Sequence, residues 1–203
     1  MTTTTRAAET LGEAAAAARA CTICAPHLPL GPRPILQVGE GARVLITSQA
    51  PGTKAHRSGV PFDDASGERL RDWTGLGRAD FWDTSKVAIL PTGLCYPGRL
   101  PRGGDAPPRP ECAPTWQPRV LAHLRGVRLR LLVGAYAQRL VLGPGPAVSA
   151  RVAAWREHVP RGLFPLPHPS WRTLVWASKN PWYDAEVVPA LREAVARALA
   201  GAD

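Results

Sequence analysis

Residues 47–67 read TSQAPGTKAHRSGVPFDDASG, and this stretch decides the architecture. It follows Val44-Leu45-Ile46, a short apolar run of the kind that forms a buried strand. Pro51, Gly52, Gly59, Pro61 and Gly67 then gather in one loop. Proline fixes φ and glycine permits positive φ, so such a loop can hold a specific shape at a strand end. Within it Phe62 offers an aromatic face, and Gln49, Asp63 and Asp64 offer polar groups. An aromatic face beside an amide and carboxylates suits a flat polar ring such as a nucleobase. An ordinary strand-to-helix connection with Phe62 in the core fits the same pattern.

On either side of this stretch, apolar runs predict strands at 43–47, 86–90, 127–133 and 163–166, with a shorter one at 35–37. Helices are expected at 10–20, 66–73 (capped by Ser66), 117–124, 135–142, 149–157 and about 185–200. Residues 1–10 read as a flexible tail and 11–203 as one domain, long enough to bury a core. Strands alternate with helices, which predicts a layered α/β fold with a mainly parallel sheet, because parallel strands need crossovers. Ligands of such sheets bind beyond the carboxyl ends of the strands. The loops at those ends begin near Ser48, Pro91, Gly134 and Pro167. Gln49, Phe62, Asp64, His168, Ser170 and Arg172 all fall there, so they are expected to converge on one cleft.

Lys and Arg number 25 against 16 Asp and Glu, a formal charge of +9, and only Lys54, Lys86 and Lys179 are lysine. A GC-rich codon usage accounts for part of the arginine, alanine, glycine and proline. The positive balance that remains favours a polyanionic partner such as nucleic acid, since arginine pairs bidentately with phosphate. Arg99, Arg102 and Arg109 read either as a phosphate track or as a solvated face. Hydrophobic residues are 45% and charged residues 20%, which excludes a disordered chain. No apolar run reaches the ~20 residues of a membrane span. No basic segment leads a long apolar region, so a cytoplasmic protein without a secretion signal is expected.

Two residues separate Cys21 from Cys24, and sixteen separate Cys95 from Cys112. In a reducing compartment such a set favours metal ligation over disulfides. The long Pro/Gly/Arg-rich segment 93–114 holds the second pair, and a loop of that length is usually functional or pinned. Four thiolates suit tetrahedral zinc or an iron–sulphur cluster. Only the first pair has the short spacing of a zinc ribbon, and four unrelated buried thiols is the remaining alternative.

With these residues in view, the chain resembles the iron–sulphur uracil-DNA glycosylases, families 4 and 5, over about residues 12–198. Cys21, Cys24, Cys95 and Cys112 are similar to the cysteine set of those families, which implies a structural [4Fe–4S] cluster, with zinc as the lesser alternative. Ser48-Gln49-Ala50-Pro51-Gly52 resembles the first active-site motif, and Gly59-Val60-Pro61-Phe62 its continuation, with Phe62 as the stacking aromatic. Gly134-Ala135 resembles the strand-to-helix turn, and His168-Pro169-Ser170 the final motif, whose histidine holds the base oxygen. Asp64-Ala65-Ser66-Gly67 resembles a family 5 segment with a catalytic aspartate, although Asp64 also suits a helix cap. The chain departs from the pattern at Gln49, Ala50 and Pro91, where the families or their relatives carry a glutamate, an aspartate and a uracil-reading asparagine.

The resemblance implies a three-layer α/β/α sandwich around a four-stranded sheet. It implies a monofunctional glycosylase acting on DNA with deaminated bases; the sequence carries no oligomer signal, so a monomer is expected. Asp64, His168 and Gln49 would be catalytic; Gln49, Ala50, Phe62, Pro91 and His168 would bind the base; Ser170, Trp171 and Arg172 would contact DNA. The departures motivate a second reading, a protein of the same fold that binds damaged or single-stranded DNA without excision. A zinc-stabilised α/β domain of unrelated function is the third.

Overall fold

A computed structural model describes residues 9–101 and 103–201; positions 1–8 of the expected tail and Arg102 of the expected phosphate track lie outside the described residues. Strands form where the chain is continuously apolar: β1 (Val44–Thr47), β2 (Val87–Ile89), β3 (Leu129–Val133) and β4 (Leu163–Leu166). They make one sheet in the order β2-β1-β3-β4, with every pairing parallel. Val44 lies opposite both Val87 and Leu129, and Val133 opposite Leu166.

Helix α1 (Leu11–Arg19) precedes the sheet. The β1–β2 crossover carries α2 (Thr53–Ser58), α3 (Ala65–Thr74) and α4 (Arg78–Phe81). The β2–β3 crossover carries α5 (Cys112–Leu121). The β3–β4 crossover carries α6 (Gly134–Leu142), α7 (Val148–Ala153) and α8 (Trp155–His158). After β4 come α9 (Trp171–Ser178) and α10 (Val188–Ala200).

Side chains alternate across each strand, so the sheet feeds two cores. Val44, Ile46, Ile89, Leu131 and Phe164 pack on one face with Leu70 and Trp73 of α3 and Leu191 of α10. Leu45, Ala88 and Leu90 pack on the other with Leu11, Ala15 and Ala18 of α1 and Trp116 and Val120 of α5. This is the expected three-layer sandwich. Both faces are covered, which is why the strands read as unbroken apolar runs. Among the described residues no helix is long and apolar enough to cross a membrane.

The structure corrects several boundaries. Residues 9 and 10 are held rather than loose: Glu9 pairs with Arg119 of α5, and Thr10 caps α1 in a reciprocal box with Glu13. The cap of α3 is Asp64, so Ser66 lies inside the helix. Helix α5 covers 112–121, not 117–124; Pro114 sits in its first turn, where an N–H has no intrahelical partner anyway. The helix expected at 149–157 breaks at Ala154 into α7 and α8. The last helix opens with a π-helical turn, Tyr183–Val187, before Pro189, which has no N–H to donate. The strand expected at 35–37 reduces to an antiparallel bridge between Gln37 and Ile89.

Candidate active site

At the carboxyl end of the sheet, a cleft of about 520 Å³, counted to its open mouth, is lined by Ser48, Ala50, Pro51, Gly52, Phe62, Asp64, Pro91, Asp105 and His168, among others. Three of the four strand-end loops therefore meet as the sequence predicts.

Phe62 is the only non-glycine residue with positive φ among the described residues, at 58°. That left-handed conformation costs roughly 1–3 kcal/mol and persists only where the surroundings impose it. Two contacts impose it. The Trp82 indole N–H donates to the Pro61 carbonyl at 2.9 Å. Gly67, in the first turn of α3, leaves space for the Phe62 carbonyl; a Cβ there would lie 1.8 Å from that oxygen. The Phe62 ring meets Phe81 edge-on, at 6.1 Å and 88°, and also lines the cleft. It is thus both a core contact and a cleft aromatic, and the two readings of the sequence coexist.

Asp64 likewise serves in both senses. Its Oδ1 accepts from the Gly67 amide at 2.8 Å as the cap of α3. Its Oδ2 faces Gly52, where a Cβ would sit 3.7 Å away.

His168 follows β4 between two prolines. Its carbonyl accepts from the Ser170 amide at 2.7 Å and from Thr173 Oγ1 at 2.5 Å. Arg69 of α3 donates to the Pro169 carbonyl at 2.8 Å, tying this loop to the wall that bears Asp64. Gly134 opens α6 at φ 81°, and a Cβ there would lie 3.4 Å from His168 Cβ. The strand-to-helix turn therefore favours glycine for its φ, and the histidine packs against it at contact distance. Burial pushes the His168 pKa down, with Asp64 and Asp105 pulling it partly back, so the imidazole is neutral at pH 7 and can donate one N–H.

Gln49 does not line the cleft. Its amide Nε2 donates to the Ala106 carbonyl at 3.0 Å, and its own carbonyl accepts from the Gly93 amide at 2.8 Å. It clamps the long segment between Cys95 and Cys112 to the end of β1. Pro91 lines the cleft and offers no amide; its carbonyl accepts from Gln117 Nε2 at 3.0 Å. Asp105, which the sequence reading did not single out, is brought to the mouth of the cleft by that clamped segment. A Cβ on Gly52 would lie 3.9 Å from its Oδ2. Nothing local in the sequence marks it, since it sits among Gly103, Gly104 and three prolines.

Ser170, Trp171 and Arg172 stand outside the cleft, at the start of α9 and not in an extended loop. Trp171 is 67% exposed, and Leu174 and Val175 are exposed beside it on the same helical face. The Arg172 guanidinium lies over the Trp171 ring, 5.4 Å from its centroid. From His168 a groove runs past Val148, Arg172 and Trp176, and continues to Arg139 and Arg151. Its charged lining is basic, with no carboxylate.

The four cysteines converge on a separate cavity of about 430 Å³. Burial raises the thiol pKa of Cys24 and Cys95, and that of Cys112 to about 11. The Leu94 amide donates to Cys112 Sγ at 3.2 Å, and the Arg33 main-chain N–H bonds to Cys95. Among the described residues, no three Cys, His, Asp or Glu side chains gather tightly enough to hold a single metal ion.

A cleft at the switch of a parallel four-stranded sheet, with a stacking ring, a neutral imidazole and carboxylates, is built to hold a flat heterocycle and to stabilise charge beside it. The sequence model of the uracil DNA glycosylase superfamily matches residues 36–192, which include the whole sheet and every cleft residue named above, and the chain belongs to that superfamily.

Proposed function

We propose that this protein flips uracil or a related deaminated base out of DNA and excises it by hydrolysis of the N-glycosidic bond. Members of the superfamily are generally DNA glycosylases, and their substrate is DNA. The observation that carries the reading is the meeting in one cleft of Phe62 and Asp64, from the loop after β1, with His168, from the loop after β4.

Breaking the bond gives the sugar oxocarbenium character and leaves the base as an anion. Extrusion of the nucleotide from the stack comes first. Phe62 stacks on the flipped base, and its backbone strain shows that the surroundings hold the ring in place. His168, neutral, donates to an oxygen of the leaving base; a preformed donor at a developing charge is worth several kcal/mol of barrier in such sites, about 3–4. Asp64 sets its free Oδ2 against the cationic sugar. Trp171 and Arg172 lie on DNA beside the cleft, and the basic groove past Arg139 takes the flanking phosphates.

The four-thiol cavity is read as the seat of a [4Fe–4S] cluster. Zinc bonds thiolates at about 2.3 Å and needs the four sulphurs within about 4 Å of each other. A cluster with one thiolate per iron spreads them further. The lining of one cavity by all four thiols, and the amide N–H groups aimed at sulphur, support the cluster. When bound it would supply a structural pin. These features also support the likeness to families 4 and 5.

One observation favours a second reading, binding without excision: Gln49 is engaged with Ala106, and Pro91 brings no amide to read the base. The deciding experiment uses anaerobically purified protein and oligonucleotides carrying one uracil, hypoxanthine or xanthine, single-stranded and paired. Alkali then reveals abasic sites. Cleavage at one base is expected, and His168→Ala and Asp64→Ala should each slow it tenfold or more, about 1.4 kcal/mol. Tight binding with no abasic product at any base would leave the second reading standing.

A further inference from the structure

We infer that Asp105 is a second catalytic carboxylate, the base that takes the proton from the attacking water, while Asp64 remains the fixed anion facing the sugar. The inference deepens the glycosylase reading and rests on it.

Three observations point there. Asp105 lines the same cleft as Asp64 and His168, and the two carboxylates flank Gly52 with their Oδ2 atoms. Asp64 is committed: its Oδ1 accepts from the Gly67 amide as the cap of α3. Asp105 accepts no hydrogen bond among the described residues, so both its oxygens are open to a ligand. The third is how it is delivered. The described residues on either side of position 102 pair as a small hairpin, in which Ala106 N–H donates to Gly98 O at 2.8 Å and Leu100 N–H to Gly104 O at 2.9 Å. Arg99 and Asp105 face each other across it. Gln49 anchors this hairpin through Ala106, the residue after Asp105. The amide that the sequence reading assigned to the base therefore positions the second carboxylate.

The two carboxylates differ in their partners: Asp64 caps a helix and Asp105 does not. Burial raises the Asp105 pKa, Arg99 and His168 oppose the rise, and the Asp64 charge adds to it. Among the described residues these groups face it from three sides: Arg99 across the bridge, Asp64 at α3 and His168 after β4, with the Arg172 guanidinium near the neighbouring Gly104. A carboxylate whose pKa is raised from its ordinary value accepts a proton more readily.

In the step, the water oxygen bonds to C1′ as the C1′–N bond breaks, and the bonding pair leaves with the base. The water proton passes to Asp105. It then passes to the base anion, which departs neutral and leaves a hydroxyl on the abasic sugar. No oxidant or other reactant is required.

The test compares full-length wild type with Asp105→Asn, Asp105→Glu and Asp64→Asn on the oligonucleotide that wild type cleaves best. Single-turnover rates are followed across pH, and DNA binding is measured separately. Asp105→Asn should slow excision at least a hundredfold with binding unchanged, and Asp105→Glu should recover part of the loss. In wild type the rate should fall as pH drops through the Asp105 pKa, and Asp105→Asn should lose that acid limb. An Asp105→Asn protein that is as fast as wild type, or slow with the same acid limb, overturns the inference and leaves the glycosylase reading intact. A wild type that cleaves no base overturns both.

Discussion

Gly67 shapes the cleft although it has no side chain. A methyl group there would meet the Phe62 carbonyl at 1.8 Å, and neither backbone can yield without moving the ring or the first turn of α3. Gly67→Ala is therefore expected to cost at least about 2 kcal/mol in urea denaturation and to weaken substrate binding together with stability. Unchanged stability would mean that Phe62 is free to leave its left-handed conformation. The sequence exposed Phe62, Asp64 and His168 because each falls in a stretch that resembles an active-site motif of the family. It could not expose Asp105 or the true use of Gln49. A polar side chain at a strand end has several possible partners, and the one that wins, the Ala106 carbonyl, lies 57 residues away. That approach exists only once the hairpin has folded.

The strands were the most legible elements, since a sheet buried on both faces writes itself as apolar runs. Short helices with polar sequences were not. Helix α2 is six residues of TKAHRS between glycines, and its periodicity is too brief to register. Helix α9 is hidden in the sequence because His168-Pro169-Ser170 precedes it, and proline marks turns as readily as helix starts. Helix α5 was misplaced by its prolines. Pro118 sits inside that helix with its ring exposed, where it removes one backbone hydrogen bond and crowds the preceding turn. Pro118→Ala restores the bond and gives up little packing. It is expected to raise stability by about 1 kcal/mol in urea denaturation, the helix gain exceeding the entropy returned to the unfolded chain. A loss of stability would show that the bend at Pro118 is needed to seat Cys112 and Trp116.

Across the whole molecule, the two cavities are joined by one segment. It leaves β2, passes Cys95, sends the 98–106 hairpin to the cleft and returns to Cys112 at the start of α5. Cys95→Ser is expected to abolish bound iron and broad visible absorbance, to lower the melting temperature, and to slow excision by loosening the hairpin that carries Asp105. Iron content and absorbance unchanged from wild type would remove Cys95 from the centre. Trp171, described above for its place beside the cleft, has an optical consequence. The chain has seven tryptophans, and Trp171 alone is exposed; the other six are partly or fully buried. A neutral collisional quencher such as acrylamide therefore reaches one indole far more than the rest. The quenchable, red-shifted fraction of the emission reports on that single site. If DNA lies across α9, it shields this fraction and shifts it to the blue, so occupancy can be read without a label, even in variants that no longer turn over.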